Sequence, residues 1–310
     1  MSILSYDFMQ RALAAAVLVG LAAPTVGVFL VQRRLALMGD GIGHVALTGV
    51  ALGFLLGVAP LITAVLAATA GAVTIELIRA RGRTGGDVAL ALLFYGGIAG
   101  GVLLIGLSPG GTSATLLSYL FGSLTSVSAG DLIVIAVLAG VALLLLAGFG
   151  RELFTVCHDE EYARASGLRV RMLTLLLAAA AAVTVTVAMR VVGLLLVSAL
   201  MVVPVATAQQ LTRSFLGTLA ASLVLGVAVS VAGVVLAFQA DVAPGASIVV
   251  LALGVFALAV LARFVVRHRR PRDTFGAEDV PQAQPAVAIS STAPPAATTP
   301  PAAVTARGDR

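Results

Sequence analysis

The composition of this 310-residue chain excludes a water-soluble globular domain. Hydrophobic residues make up 60% of the chain and charged residues only 11%, and the mean hydropathy is +1.09. The net charge of +5 comes from basic residues that cluster between apolar runs. These clusters are not interleaved with aromatic residues, so the charge does not indicate a nucleic-acid-binding surface.

Apolar runs of about 20 residues, the length needed to cross the hydrocarbon core of a bilayer, recur along most of the chain. The runs are continuous rather than alternating, which indicates helices and not the strands of a membrane barrel. The sequence therefore predicts an all-α, polytopic transmembrane helical bundle with about nine spans. The predicted spans cover residues 12 to 32, 38 to 59, 61 to 78, 88 to 107, 131 to 150, 172 to 189, 191 to 203, 214 to 238 and 246 to 266.

Two segments depart from this pattern. Residues 112 to 130 are too polar and too short to cross a bilayer, so they are predicted to form an outer re-entrant or surface helix. The span over 191 to 203 is also short, and Pro204 is predicted to end it, with a separate short helix over 204 to 214. The single cysteine, Cys157, is predicted to lie in a polar loop.

The basic clusters predict the orientation, because short basic loops stay on the cytoplasmic side of a membrane. Placing every cluster inside gives an N-terminus outside the cell and a C-terminus in the cytoplasm. Residues 1 to 270 are predicted to form the transmembrane permease domain. Residues 271 to 310 are rich in Pro, Ala and Thr, and we predict a disordered cytoplasmic tail there.

The stretch MGDGIGHVALTGV places an aspartate and a histidine at the head of a long apolar run. On a helix Asp40, His44 and Thr48 share one face, so a carboxylate oxygen and an imidazole nitrogen can reach one cation between them. Two other interpretations remain open. Asp40 can act as the N-cap of the helix that follows, and His44 can be a core histidine bonded to a neighbouring carbonyl group.

A neighbouring face of the same run carries Gly49, Gly53 and Gly57. Small residues at this spacing allow a second helix to approach closely within a membrane. We therefore expect the run to be packed inside the bundle, with its polar groups facing a cavity.

The other acidic residues lie near span ends or in loops. Glu76, Asp87 and Asp131 are predicted to cap helices or to be solvated. Asp241 belongs to the outer turn DVAPGAS, and it is a candidate for an outer gate.

Over roughly residues 10 to 266 the chain resembles the integral membrane permeases of zinc and manganese ABC importers. These are distant relatives of the cobalamin and iron-siderophore permeases. The resemblance is carried by blocks in the expected order, namely RRLALMGDGIGHVALTGVALGFLLG, RARGRTGGDVALALLFYGG, HDEEYARASGLRV, VVGLLLVSALMVVPVATAQQLTRSF and DVAPGASIVV.

This resemblance implies a homodimeric permease of the vitamin B12 importer type (type II), which works with a cytoplasmic ABC ATPase dimer and an external or periplasmic metal-binding protein. Asp40 and His44 would be transient metal ligands on the translocation path, and no cofactor would be permanently bound. The segment after Pro204 resembles the loop that docks on the ATPase, and HDEEYARASGLRV resembles a second cytoplasmic helix near that interface. The predicted coupling residues are Pro204, Ala206, Thr207, Gln209 and Arg213.

The resemblance favours one function among three classes. The first is an ABC permease for zinc, manganese or iron, not itself an enzyme, in the cell (plasma or inner) membrane. The second is a proton- or cation-coupled secondary metal transporter that uses Asp40 and His44 as a relay. The third is an intramembrane metalloenzyme, which would need a third metal ligand and a general base. One imidazole and one carboxylate suit Zn(II), Mn(II) or Fe(II) and bind weakly enough for passage.

Overall fold

The computed structural model describes residues 6–80, 86–108, 113–123 and 127–269, and all regular structure in these ranges is helical. The predicted tail over 271 to 310 lies outside the described residues. The helices in chain order are α1 (Asp7–Gln32), α2 (Met38–Leu56), α3 (Pro60–Ala80), α4 (Gly86–Leu107), α5 (Ser113–Phe121), α6 (Ala129–Gly148), α7 (Gly150–His158), α8 (Glu160–Ala165), α9 (Val170–Met189), α10 (Leu194–Leu211), α11 (Phe215–Ala240) and α12 (Pro244–Arg269).

The prediction of about nine spans is confirmed. Among the described residues nine helices are long and apolar enough to cross a membrane, and they are α1 to α4, α6 and α9 to α12. Helices α1 and α9 are the most buried of these spans, whereas α4, α6 and α12 leave most of their surface uncovered within this chain. In a membrane such uncovered apolar faces meet lipid or another subunit.

The prediction that Pro204 ends a span is wrong. Helix α10 runs through Pro204 without a break, and Leu194–Leu211 forms the span in place of residues 191 to 203. Pro204 is buried among neighbouring helices. Proline is tolerated inside membrane helices because packed neighbours and Ser or Thr hydroxyls bond the carbonyl groups that it leaves free.

The polar segment predicted to be re-entrant or superficial contains the nine-residue helix α5. Its end packs by backbone against the turn between α9 and α10, where a Cβ atom on Gly193 would lie 2.5 Å from Leu120 O. Gly193 has φ +89, a conformation that favours glycine. The first residue of α10, Leu194, packs against Gly43 of α2.

Ion pairs mark the two ends of the bundle. At one end, here called the Arg33 end, the guanidinium of Arg33, the C-cap residue of α1, lies 3.2 Å from Glu160 of α8 and 4.0 Å from Glu76 of α3. At the opposite Arg190 end, the Arg190 guanidinium lies 2.6 Å from Asp131 of α6. The capping prediction for Asp131 is confirmed, because it forms a reciprocal capping box with Ser128.

Candidate functional site

Helix α2 carries the two residues that the sequence singles out. Asp40 and His44 lie one turn apart, and Asp40 Oδ1 is 4.0 Å from His44 Nε2. The His44 side chain is 5% exposed and that of Asp40 is 28% exposed. The pair therefore joins a buried imidazole to a carboxylate that is still open to its surroundings.

Helix capping does not explain Asp40. Helix α2 begins at Met38, two residues before Asp40, and its N-cap residue is Leu37, which makes no side-chain capping bond. The turn Leu35–Met38, closed by a bond from Met38 N to Leu35 O, starts the helix early. Asp40 consequently lies in the first turn, where a carboxylate is favoured by the positive end of the helix dipole.

The interpretation of His44 as a satisfied core histidine requires a bonded neighbour. The buried Nδ1 atom has no hydrogen-bond partner among the described residues. The imidazole instead packs edge-on against the ring of Phe94 on α4, with 4.4 Å between ring centroids. Since buried polar atoms are usually paired, the unpaired Nδ1 does not support the interpretation of a satisfied core histidine, while Nε2 is the ring nitrogen near Asp40.

Helix α4 approaches the His44 backbone very closely. A Cβ atom on Gly97 would lie 2.7 Å from His44 C and 2.8 Å from Val45 N. Thr48 donates a hydrogen bond of 2.8 Å from Oγ1 to Gly97 O, so its hydroxyl fastens α4 to α2 rather than extending the Asp40–His44 pair. Phe94 and Gly97 were not identified from the sequence, because nothing local to α4 shows what it packs against.

Helix α10 flanks the other side of the site. A Cβ atom on Gly39 would lie 3.3 Å from the sulfur of Met201, whereas Gly41 faces Leu90 of α4. Successive helical residues differ by about 100°, so Asp40 and His44 point into the gap between α10 and α4. Asp40 is thus partly exposed on this side, whereas His44 is buried behind it against Phe94.

The glycine pattern of α2 serves close packing as predicted, at two of its three positions. A Cβ atom on Gly49 would lie 2.6 Å from Ala64 Cα of α3, and one on Gly53 would lie 2.6 Å from Pro60 Cα. Gly57 has a different role, since it ends α2 with φ +66. Helix α3 therefore supports the face of α2 that turns away from the gap between α10 and α4.

The predicted coupling residues fall into two groups. Pro204 and Thr207 are buried inside α10, and Ala206 is half-buried there. Gln209 and Arg213 are exposed at the Arg33 end, next to the junction of α10 and α11. The separate short helix over 204 to 214 does not exist, because these residues continue α10 to Leu211 and then turn.

The structure places two further predicted residues. Asp241 is exposed at the opposite end of the bundle from the Arg33 ion pairs, and it ends α11 in the left-handed conformation with φ +51. It borders a cavity of about 380 Å³ together with Phe8 and Phe238.

Cys157 lies in helix α7 and not in a loop, and its thiol is 3.8 Å from Phe29 O.

Glu76 is the ionisable residue whose environment the sequence prediction missed. Its side chain is only 9% exposed within the span α3, and its carboxylate lies 2.9 Å from Arg79 and 4.0 Å from Arg33. It is neither a cap nor solvated. The i, i+3 spacing of Glu76 and Arg79 was the local signal available, but the contact with α1 is visible only in the folded chain.

The geometry of the Asp40–His44 pair suits a small cation. Metal bonds to imidazole and carboxylate are about 2.0 to 2.2 Å long, so one ion can bridge atoms that are 4.0 Å apart at a wide angle. No third His, Cys, Asp or Glu completes a cluster within the described part of the chain. Two ligands give weak binding and leave coordination positions for water or for a second subunit.

Comparison with known proteins places the chain among membrane transporters. It is 36% identical over 257 residues to the manganese transport system membrane protein MntC of Halalkalibacterium halodurans, covering 83% of this chain and 88% of that protein. It is 31% identical over 257 residues to a probable iron transport system membrane protein of Haemophilus influenzae, covering 83% and 94%. The structure of PsaBC from Streptococcus pneumoniae in complex with Fab matches with a TM-score of 0.76 at 32% identity, covering 83% and 92%.

These matches confirm the predicted fold, that of a multi-pass ABC transporter permease. The model of the ABC 3 transport family matches residues 5–263, which include the first eight predicted spans, most of the ninth and the Asp40–His44 pair. The chain therefore belongs to the ABC 3 transport family and is a membrane-spanning permease subunit rather than an enzyme.

Proposed function

We propose that this permease passes divalent transition-metal ions through the membrane in an ATP-driven importer, with Mn(II) as the first candidate and Fe(II) and Zn(II) next. The observation that carries the proposal is the Asp40–His44 pair, whose atoms lie 4.0 Å apart with Asp40 partly exposed between α4 and α10. The order of the metals follows the names of the similar proteins, which are transporters of manganese and iron. The ion is the substrate and is not a resident cofactor.

Weak binding is what transport through this site requires. An ion must leave the pair as readily as it enters, and a carboxylate plus an imidazole holds Mn(II) or Fe(II) without a closed coordination shell. A second copy of the chain related by a two-fold axis would bring a second pair to the same path. The uncovered apolar faces of α4, α6 and α12 are suitable surfaces for lipid and for this second copy.

The proposed assembly also contains a cytoplasmic ABC ATPase dimer and an external or periplasmic metal-binding protein. The Arg33 end would face the cytoplasm, because arginines gather there and basic loops stay inside. Asp241 would then lie on the external side, as expected of an outer gate. The membrane would be the plasma or inner membrane, with the N-terminus outside and residues 271 to 310 as a cytoplasmic tail.

We assign ATPase coupling to the exposed groups at the Arg33 end. Gln209 and Arg213 can contact a partner directly, and the exposed α8 can contribute to the same surface. Pro204, Ala206 and Thr207 lie within α10 and would act through the course of that helix. A movement of the cytoplasmic end of α10 would then be transmitted along this helix to Met201, which lies next to the Asp40–His44 pair.

Metal uptake by vesicles containing the complete importer tests the proposal. Asp40→Ala and His44→Ala should each reduce manganese uptake to background while the protein inserts normally. Asp7→Ala, in the exposed first turn of α1, and His158→Ala, on the exposed end of α7, remove the same groups elsewhere and should retain uptake. Uptake at the wild-type rate in either site variant would remove the pair from the path.

The secondary-transporter alternative predicts a different energy requirement. An ABC importer needs ATP and its ATPase subunits, whereas a relay through Asp40 and His44 would use an ion gradient. Uptake should therefore stop when ATP is withheld and should be insensitive to dissipation of the proton gradient. Gradient-driven uptake without ATP would support the secondary carrier.

A further inference from the structure

A polar cavity lies at the Arg33 end of the bundle, away from the Asp40–His44 pair. It has a volume of about 480 Å³ and is bordered by residues of α1, α3, α8 and α9. Four arginines and two glutamates line it, namely Arg33, Arg79, Arg164, Arg171, Glu76 and Glu160. We call this cavity the arginine pocket.

The carboxylates of the arginine pocket are already paired. Arg33 lies 4.0 Å from one oxygen of Glu76 and 3.2 Å from one oxygen of Glu160. The remaining oxygens lie 2.9 Å from Arg79 and 2.9 Å from Arg164, respectively. Each carboxylate oxygen therefore faces a guanidinium group, and the two glutamates offer no further site for a cation.

The pocket keeps an excess of positive charge. Four guanidinium groups against two carboxylates leave two positive charges that the lining residues do not balance. Arg171 is exposed and forms no ion pair with any described residue. The pocket also contains the first turn of α9, beginning at Val170, whose free amides favour an anion.

The other lining residues are three apolar side chains and Thr174. Leu77 of α3, Val170 and Leu175 of α9 line the pocket beside the arginines. Both α3 and α9 are membrane spans, and Leu77 and Leu175 are half-buried on them. A polar end rich in arginine beside these apolar side chains matches the two parts of a phospholipid. Basic pockets between spans are known to hold anionic headgroups.

We propose that the arginine pocket binds a phosphate-bearing anion, and that its occupant is the headgroup of an anionic phospholipid with an acyl chain along Leu77 and Leu175. Bound there, the phosphate would contact Arg79, Arg164 and Arg171 without displacing the glutamates. Because the ion pairs join the end of α1 to α3 and α8, and a bound phosphate would add Arg171 of α9, an occupied pocket would hold α8 against the spans. The lipid would thereby stabilise the end of the permease that faces the proposed ATPase.

Native mass spectrometry of the full-length permease, isolated from membranes with its associated subunits, tests this proposal. The protein is titrated with phosphatidylglycerol or with phosphatidylcholine of the same chains. We expect retention of phosphatidylglycerol and weaker retention of phosphatidylcholine. Arg171→Gln should weaken phosphatidylglycerol retention about fivefold, the factor that corresponds to about 1 kcal/mol for one basic residue at an anionic surface.

Arg169→Gln is the matched control. Arg169 is exposed two residues earlier at the same end of α9, but it does not line the pocket. This control should bind phosphatidylglycerol like the wild type, and Arg171→Lys should largely restore binding because it keeps the charge. Both substituted positions are exposed. Only monodisperse preparations of each variant are compared, so that a misfolded protein is recognised by its aggregation and excluded.

The outcomes separate the sources of the phosphate. If millimolar inorganic phosphate leaves the bound lipid in place, the lipid is the occupant. If it displaces the lipid in the wild type but not in Arg171→Gln, the anion site is correct and the lipid assignment is wrong. Equal losses in Arg169→Gln and Arg171→Gln would reduce the effect to general surface charge, and no loss in Arg171→Gln would overturn the proposal.

Discussion

Replacing Gly97 by alanine tests whether the close contact of α4 with α2 sets the metal pathway. The added Cβ atom would lie 2.7 Å from His44 C, 2.8 Å from Val45 N and 2.9 Å from His44 O. Carbon atoms pack at about 3.5 to 4.0 Å, so α4 must move away from α2 by roughly 0.8 Å or more. The shift would stretch the Thr48–Gly97 hydrogen bond and draw Phe94 away from the imidazole.

The expected energetic cost has several parts. Overpacking of this kind destabilises by about 1 to 3 kcal/mol, and a weakened hydrogen bond adds up to about 0.5 to 1.5 kcal/mol. The better helix propensity of alanine returns about 1 kcal/mol. We expect a net loss of roughly 0.5 to 3.5 kcal/mol, the range these terms allow.

The assay combines thermal unfolding in detergent with the initial rate of manganese uptake in vesicles. Gly97→Ala should unfold at a lower temperature than the wild type. Its uptake should fall roughly tenfold, since a displacement of about 1 Å at a functional site costs up to about 100-fold. Asp40 and His44 stay together on α2, so the loss would come from the opening between α4 and α10 and not from the pair itself.

Gly96→Ala is the matched control, because a Cβ atom there would meet nothing within 4 Å. It should keep uptake near the wild-type rate and unfold at the same or a slightly higher temperature. If Gly97→Ala matched Gly96→Ala in both stability and uptake, the proposed role of the α4–α2 contact would be refuted.

Three further predictions concern other parts of the chain. Charge reversal at the exposed Arg213 should weaken ATPase assembly and uncouple hydrolysis from uptake, measured by co-purification and by ATPase activity with and without metal; labelling of this junction from outside the cell would contradict it. Burial raises the pKa of Cys157 to about 11 from an ordinary 9.0, although Arg33 lowers it, so at pH 8 the folded protein should react with iodoacetamide about 100-fold more slowly than a fully exposed thiol. The rate should increase as the pH rises towards 11, and an exposed cysteine introduced by Ser166→Cys in a Cys157→Ser background is the reference. Deletion of residues 274 to 310 should leave uptake near normal, because no span, metal ligand or coupling residue is removed; an inserted but inactive truncated protein would instead indicate a regulatory tail.

The sequence by itself determined the class of the molecule and the location of most of its spans. Continuous apolar runs can be placed in a bilayer only as helices, because backbone groups have no water to bond in the hydrocarbon core. The i, i+4 spacing of Asp40 and His44 likewise determined that the two side chains share a face. Both results depend on local periodicity, which is why they needed no knowledge of neighbouring helices.

The tertiary structure decided what each local pattern packs against. Pro204 continues α10 because it is buried among packed neighbouring helices, a contribution that the sequence of the helix does not reveal. Glu76 is buried because Arg33 arrives from a different helix to share its charge. The metal pair is partly exposed at Asp40 for a similar reason, since α4 and α10 come together around α2 only in the folded chain and leave the side of Asp40 partly uncovered.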